Sequence, residues 1–250
     1  MKKPLIVKGL QKSYGTICAV EELSLELTEG EVFGLLGHNG AGKTTSIECM
    51  LGVRKADKGS VSVLGLDPTL DRKKLFERVG VQFQQTSYQD KIQVQEICEV
   101  TASLYRSPMD YRALLESFGL VGMEKHAVAE LSGGQRQRLS VLLALIPKPE
   151  IVFLDELTTG LDTKARRDVW RYLERLKADG LTVLLTSHYM DEVEALCDRI
   201  YILKKGKVAV QGTVGEIIAR SPYRTLEDAY LWYTGEEESI HESVSCTVSE

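Results

Sequence analysis

Residues 37–44 read Gly-His-Asn-Gly-Ala-Gly-Lys-Thr, and few strings of this length constrain a fold so tightly. The pattern G-x-x-x-x-G-K-[ST] needs a strand before it and a helix after it. Both are legible: Glu31 to Gly37 is a short apolar run ending in glycine, and Lys43 to Leu51 favours helix. Gly37, Gly40 and Gly42 let the backbone curl so that successive N–H groups converge on an anion, while the helix adds its positive N-terminal end. The loop is therefore predicted to cradle the phosphates of a nucleotide. Lys43 is expected to reach the β and γ phosphates and the Thr44 hydroxyl to ligate Mg2+. His38, Asn39, Ala41 and Thr45 fall within the same predicted contact.

A second piece lies about a hundred residues downstream. Ile151 to Glu156 places four apolar residues ahead of two carboxylates, as a strand delivering acids to the end of a sheet. Adjacent strand residues point to opposite sides. Asp155 thus suits the magnesium shell, and Glu156 suits polarising an attacking water. Between these pieces, residues 131–135 read LSGGQ, with Gln135-Arg136-Gln137-Arg138-Leu139 ready to continue as helix. Ser132, Gly133, Gly134 and Gln135 then form a helix start with bare amides and a hydroxyl, a second anion site on the same chain.

The remaining runs supply a frame for these sites. Val61 to Leu64, Val79 to Phe83, Val183 to Thr186 and Arg199 to Leu203 read as strands, and Lys204-Lys205-Gly206-Lys207 as a hairpin turn leading to Val208 to Val210. From Gln85 to Leu145 the period becomes helical: Val94, Ile97, Val100, Ala102 and Leu104 come first, then Tyr111, Leu114, Leu115 and Phe118 before Gly119. After Asp162, the stripe Ala165, Val169, Leu173 and Leu176 ends before Gly180, marking a helix and its terminator. The expected fold is α/β, a P-loop NTPase core with a mixed sheet, an inserted helical subdomain and N-terminal antiparallel β elements. Residues 1–233 form the domain, with core 1–84 and 146–233 and helical insert 85–145, and 234–250 form an acidic tail predicted to be disordered.

Composition narrows the partners. The 31 Lys and Arg face 36 Asp and Glu, for a net charge of −5, and five glutamates in residues 234–250 account for the excess. The neutral body offers no general pull toward nucleic acid or an anionic membrane. Cys18, Cys49, Cys98, Cys197 and Cys246 are odd in number and scattered, unlike a zinc site or disulfide framework, and point to reduced thiols. The longest apolar run, Val141 to Ile146, is far too short to span a bilayer, and the N-terminus lacks the apolar stretch of a signal peptide. Membrane work is expected only through a partner.

With these motifs in place, residues 4 to about 233 resemble the nucleotide-binding subunit of an ATP-binding cassette (ABC) transporter. Beyond GHNGAGKT, LSGGQ and IVFLDE, the likeness includes Tyr14 in KSYG, where the family stacks an aromatic on adenine, and Gln84 in VGVQFQ, where it has a lid glutamine. Gly160-Leu161-Asp162 is similar to the D-loop, and His188 in LLTSHYMDE to the switch histidine. The resemblance implies ATP and Mg2+ as cofactors, with Thr44, Gln84 and Asp155 at the metal and Glu156, His188 and Gln84 in catalysis. It also implies a head-to-tail homodimer or heterodimer. Ser132 to Gln135 and Asp162 of one subunit then complete the nucleotide site of the other, coupled to a separate membrane permease from the cytoplasmic side. Three departures stand out: Leu157 where the family usually has proline, Gln85 where an acid often follows the lid glutamine, and Pro147 before the Ile151 strand.

The rival reading is a soluble ABC ATPase acting on nucleic acid or ribosomes. One cassette, no long heptad run and no zinc-like spacing favour the transporter, and LSGGQ disfavours a kinase or GTPase built on the same loop. The stretch from Gln84 to Tyr105, MDYRALLESFGL and the segment Thr225 to Leu231 look like exporters of the multidrug and antibiotic-resistance type, and no extra C-terminal regulatory domain is expected.

Overall fold

In the computed structural model, which describes residues 2–84 and 88–236, two kinds of strand appear. β1 (Leu5–Tyr14) and β2 (Ile17–Leu27) alternate between buried and exposed positions. β3 (Val32–Leu36) is buried throughout and leads through the glycine loop into α1 (Lys43–Met50). There follow β4 (Lys58–Val63), α2 (Arg72–Phe76), β5 (Val79–Gln82), α3 (Val94–Ser103), α4 (Tyr111–Ser117) and α5 (Gly133–Leu145). The chain continues with β6 (Ile151–Asp155), α6 (Thr163–Ala178), β7 (Thr182–Ser187), α7 (Met190–Leu196), β8 (Arg199–Lys204), β9 (Lys207–Gly212), α8 (Val214–Ala219) and α9 (Leu226–Thr234).

The alternating strands make a three-stranded antiparallel sheet in the order β2-β1-β4. The second sheet runs β5-β6-β7-β3-β8-β9, parallel through its first five strands and closed at one edge by antiparallel β9. The β8–β9 turn holds Lys205 and Gly206 at φ 49° and 81°, the left-handed pair a tight hairpin requires. Continuous burial of β3, β6 and β7 follows from cover on both faces.

Alternation along β6 divides the core. Val152 and Leu154 face the cluster built by α3 to α6, while Ile151 and Phe153 face the antiparallel sheet and α1. α5 seats closely on the sheet edge, where a Cβ at Gly80 would lie 2.0 Å from the Ala144 carbonyl oxygen. The α6 stripe buries Ala165, Val169 and Leu173, with Gly180 at φ 95° just past its end. The α3 stripe behaves differently: Val94 and Cys98 are buried, but Val100 and Leu104 are 54% and 71% exposed. Gln85 and the tail from residue 237 onward lie outside the described residues.

Candidate nucleotide site

Neighbouring parallel strands end at the same edge of a sheet, so sequence-distant residues at their carboxyl ends become neighbours. Here β5, β6, β7 and β3 are adjacent in that order. Gln84 follows β5, Asp155 and Glu156 end β6, His188 follows β7, and the glycine loop follows β3. The register pairs Asp155 with Thr186, and Leu36 with Ser187.

Within the loop, Gly42 has φ 102°, and a Cβ there would sit 2.2 Å from the Ala19 carbonyl oxygen. No other residue fits without moving β2. Lys43 is 6% exposed, and its ammonium donates to the Gly37 and His38 carbonyls at 2.7 and 3.2 Å. Burial lowers its pKa, against the nearby charges of Glu156 and Asp155, which raise it. The Thr44 hydroxyl donates to Asp155 Oδ2 at 2.8 Å, and the Thr186 hydroxyl donates to the other Asp155 oxygen. His38, Asn39 and Gly40 form the outer rim, Ala41 is fully buried, and Thr45 lies on the first turn of α1.

Glu156 takes φ 56°, a left-handed conformation that costs a non-glycine residue roughly 1–2 kcal/mol. Its surroundings hold it there. The Glu156 N–H donates to the Thr186 carbonyl at 3.2 Å and hydroxyl at 3.0 Å. On the other side, Gln137 Nε2 donates to the carbonyls of Glu156 and Leu157 at 3.0 and 2.8 Å. The carboxylate, 8% exposed, accepts from Gln84 Nε2 at 2.8 Å and from the Thr159 hydroxyl at 3.3 Å, and His188 Nδ1 lies 3.9 Å away. Leu157 is wholly buried in the helical-side cluster, so the residue standing in place of proline serves as a core anchor directly behind the carboxylate.

The remaining predicted residues make their own contacts elsewhere in the chain. Ser132 caps α5: its hydroxyl accepts from the Gln135 N–H at 3.2 Å, and Gln135 Oε1 accepts from the Ser132 N–H at 2.8 Å. A Cβ at Gly134 would lie 3.2 Å from the Gly160 carbonyl oxygen, so this turn abuts Gly160 and Leu161. Asp162 caps α6, accepting from the N–H groups of Lys164 and Ala165 at 2.9 Å. Tyr14, 40% exposed, has the Arg54 guanidinium 5.2 Å from its ring centre and the Lys12 ammonium at 5.7 Å. Sequence reasoning passed over Thr186, Gln137 and Thr159. Thr186 and Gln137 are each two residues from a recognised position, His188 and Gln135, but only the fold shows that they hold Glu156.

Among the described residues no cluster of three His, Cys, Asp or Glu side chains gathers to hold a metal alone. The oxygens of Thr44 and Asp155, touching beside the loop, fit instead a hard cation that takes its other ligands from phosphates and water.

A glycine loop, an acid pair at the next strand but one, and a capped LSGGQ helix define an ATP-hydrolysing cassette built on the P-loop core. Residues 20–159 match the ABC transporter family. The chain is 35% identical over 224 residues to the doxorubicin resistance ATP-binding protein DrrA of Mycobacterium tuberculosis, covering 87% of this chain and 68% of that protein. It is 40% identical over 210 residues to the Nod factor export ATP-binding protein I of Mesorhizobium japonicum, covering 82% and 62%. With the probable multidrug ABC transporter ATP-binding protein YbhF of Escherichia coli it shares 34% over 234 residues, covering 90% and 40%. Among solved structures, an ATP-binding subunit of an ABC transporter superposes with TM-score 0.85 at 25% identity, covering 92% of this chain and 99% of that one. A dimeric post-hydrolysis cassette bound to ADP and Pi superposes with TM-score 0.76 at 26% identity, covering 84% and 98%. The chain belongs to the ABC transporter family and is one of its ATP-binding, ATP-hydrolysing subunits.

Proposed function

We propose that this subunit powers an exporter of the drug and antibiotic-resistance type through a separate membrane permease, using ATP to close a head-to-tail dimer. The observation that carries the chemistry is the convergence of Thr44, Asp155, Gln84, Glu156 and His188 at one sheet edge beside the glycine loop. Lys43 and the loop amides hold the phosphates, and Tyr14 takes the adenine. Thr44, Asp155 and Gln84 are the candidate Mg2+ ligands, and the bound ion would neutralise phosphate charge. Glu156 orients water in line with the γ phosphorus and accepts its proton as the β–γ bridging bond breaks. His188 supports the charge that develops on the γ phosphate.

Ser132, Gly133, Gly134 and Gln135, with Asp162, act on the partner subunit's nucleotide. The dimeric relative with ADP and Pi supports this arrangement. A closed dimer held by ATP opens when hydrolysis removes the γ phosphate. The exporter assignment rests on the names of the relatives, DrrA, YbhF and the Nod factor export protein. No helix among the described residues is long and apolar enough to cross a membrane; in this proposal the subunit attaches at the cytoplasmic face through the permease.

A groove of about 260 Å³ between β5 at the sheet edge and the helices α3 and α5 is the proposed seat for a permease helix. Tyr88, Phe83, Tyr105 and Leu143 line it. Tyr88 is half-buried there and not exposed, so it contributes one edge of a pocket and is no free-standing anchor. Mixing a Lys43→Ala chain with a Ser132→Arg chain tests the shared site. Each homodimer lacks both sites, whereas a mixed dimer regains one, so ATPase activity should appear on mixing. Two inactive proteins that stay inactive together would count against exchange of LSGGQ between subunits.

A further inference from the structure

Glu192 is fully buried, an unusual position for a carboxyl group, and the site described above gives it no role. It stands on the first turn of α7, four residues after His188. Its Oε1 accepts from Trp170 Nε1 at 3.2 Å, and Trp170 belongs to α6, the helix capped by Asp162. Its Oε2 has no hydrogen bond, and neither does the Thr158 hydroxyl, itself 1% exposed. Burial pushes the carboxyl pKa up, and the neighbouring Ser187, Thr158 and Trp170 side chains pull it back only in part. Thr158 lies two residues after Glu156.

Three segments meet at this one carboxyl, and each bears a candidate site residue: Glu156 before Thr158, Asp162 before α6, and His188 before α7. A second tie joins two of them at the surface. Arg166 of α6 donates to Asp191 Oδ2 at 2.8 Å, and its guanidinium lies 4.5 Å from the ring centre of Tyr189. The Tyr189 ring in turn packs on His188 with centres 4.2 Å apart. Nothing about a solvated helix face demands a buried acid between them. A buried polar group left half-satisfied is costly, and such groups persist where they fix one arrangement against another.

We propose that Glu192 is a positioning residue for hydrolysis, locking α7 to α6 and to the Thr158 loop so that His188 and Glu156 are held in register. The inference rests on the reading of His188 and Glu156 as catalytic.

The test is a double-mutant cycle on the full chain, following ATPase rate, KM and melting temperature for Glu192→Ala, His188→Ala and the pair. Glu192→Ala should lower kcat about tenfold with KM nearly unchanged. Glu192→Gln should restore most of the rate, because its carbonyl can accept from Trp170 and its amide can donate to Thr158. In the His188→Ala background, Glu192→Ala should add little, the mark of residues acting through one another. Should Glu192→Ala fail to fold, Thr158→Val runs the same cycle with the hydroxyl alone removed. Losses that multiply, or a KM that rises in step with the fall in kcat, overturn the inference alone. A full rate in His188→Ala overturns the catalytic reading and takes the inference with it.

Discussion

Leu157→Ala separates the two halves of the site. The side chain is wholly buried among the residues of α3 to α6 and the Val152 face of the sheet, so truncation loses its transfer energy and leaves a cavity, about 3 kcal/mol together. For a domain of this size that lowers Tm by roughly 6–12 °C. The damage is also directional. Leu157 anchors the backbone immediately after Glu156, whose φ of 56° is maintained by contacts on both sides. The glycine loop and α1 pack in the other cluster, across the sheet. Calorimetry, equilibrium binding of a non-hydrolysable ATP analogue and steady-state ATPase assays should therefore show a destabilised protein that binds nucleotide normally but turns over about tenfold more slowly, equal to about 1.4 kcal/mol of lost positioning. If nucleotide affinity falls as far as kcat, or if the rate is unchanged at a lowered Tm, Leu157 does not position Glu156 and the argument from the two clusters is wrong.

Gly42→Ala should abolish nucleotide binding, since its Cβ would meet the Ala19 carbonyl at 2.2 Å; binding at the original affinity in a titration would contradict the loop geometry. Among the described cysteines, iodoacetamide at neutral pH should label Cys18 first. Cys18 is exposed, whereas burial pushes the Cys98 thiol up to about 12 and also raises those of Cys49 and Cys197, so they ionise less and react slowly; mass spectrometry showing Cys98 labelled ahead of Cys18 would refute this. Tyr88→Ala should leave the ATPase of the isolated subunit nearly intact and weaken co-purification with the permease, while normal assembly and transport would remove Tyr88 from the groove's function.

Much of this architecture was readable because parallel strands buried on both faces are short continuous apolar runs, as at Ile151 to Leu154 and Val183 to Thr186, and because glycine marks where helices end, as at Gly119 and Gly180. The site was readable in its motifs, whose residues the β5-β6-β7-β3 order gathers at one edge. What periodicity did not carry was orientation. Val100 and Leu104 share the apolar period of α3 yet face outward, because α3 is covered along only part of its circumference. Nor could residue order show that Gln137 and Thr186 brace Glu156 from opposite sides, since both act through contacts between segments far apart in sequence. The place of Leu157 illustrates the same limit: the missing proline was visible, but its replacement as a buried anchor was not.

The most direct test of the account is Glu156→Gln, which preserves the size of the side chain and removes its ability to accept a proton from water. Purified with Mg2+ and ATP, the variant is expected to bind nucleotide as the parent does, to hydrolyse it far more slowly, and to accumulate as a dimer in size-exclusion chromatography that the parent forms only transiently. Hydrolysis at the parent's rate, or a monomer at saturating ATP, would contradict the assignment of Glu156 as the base of an ATP-closed dimer.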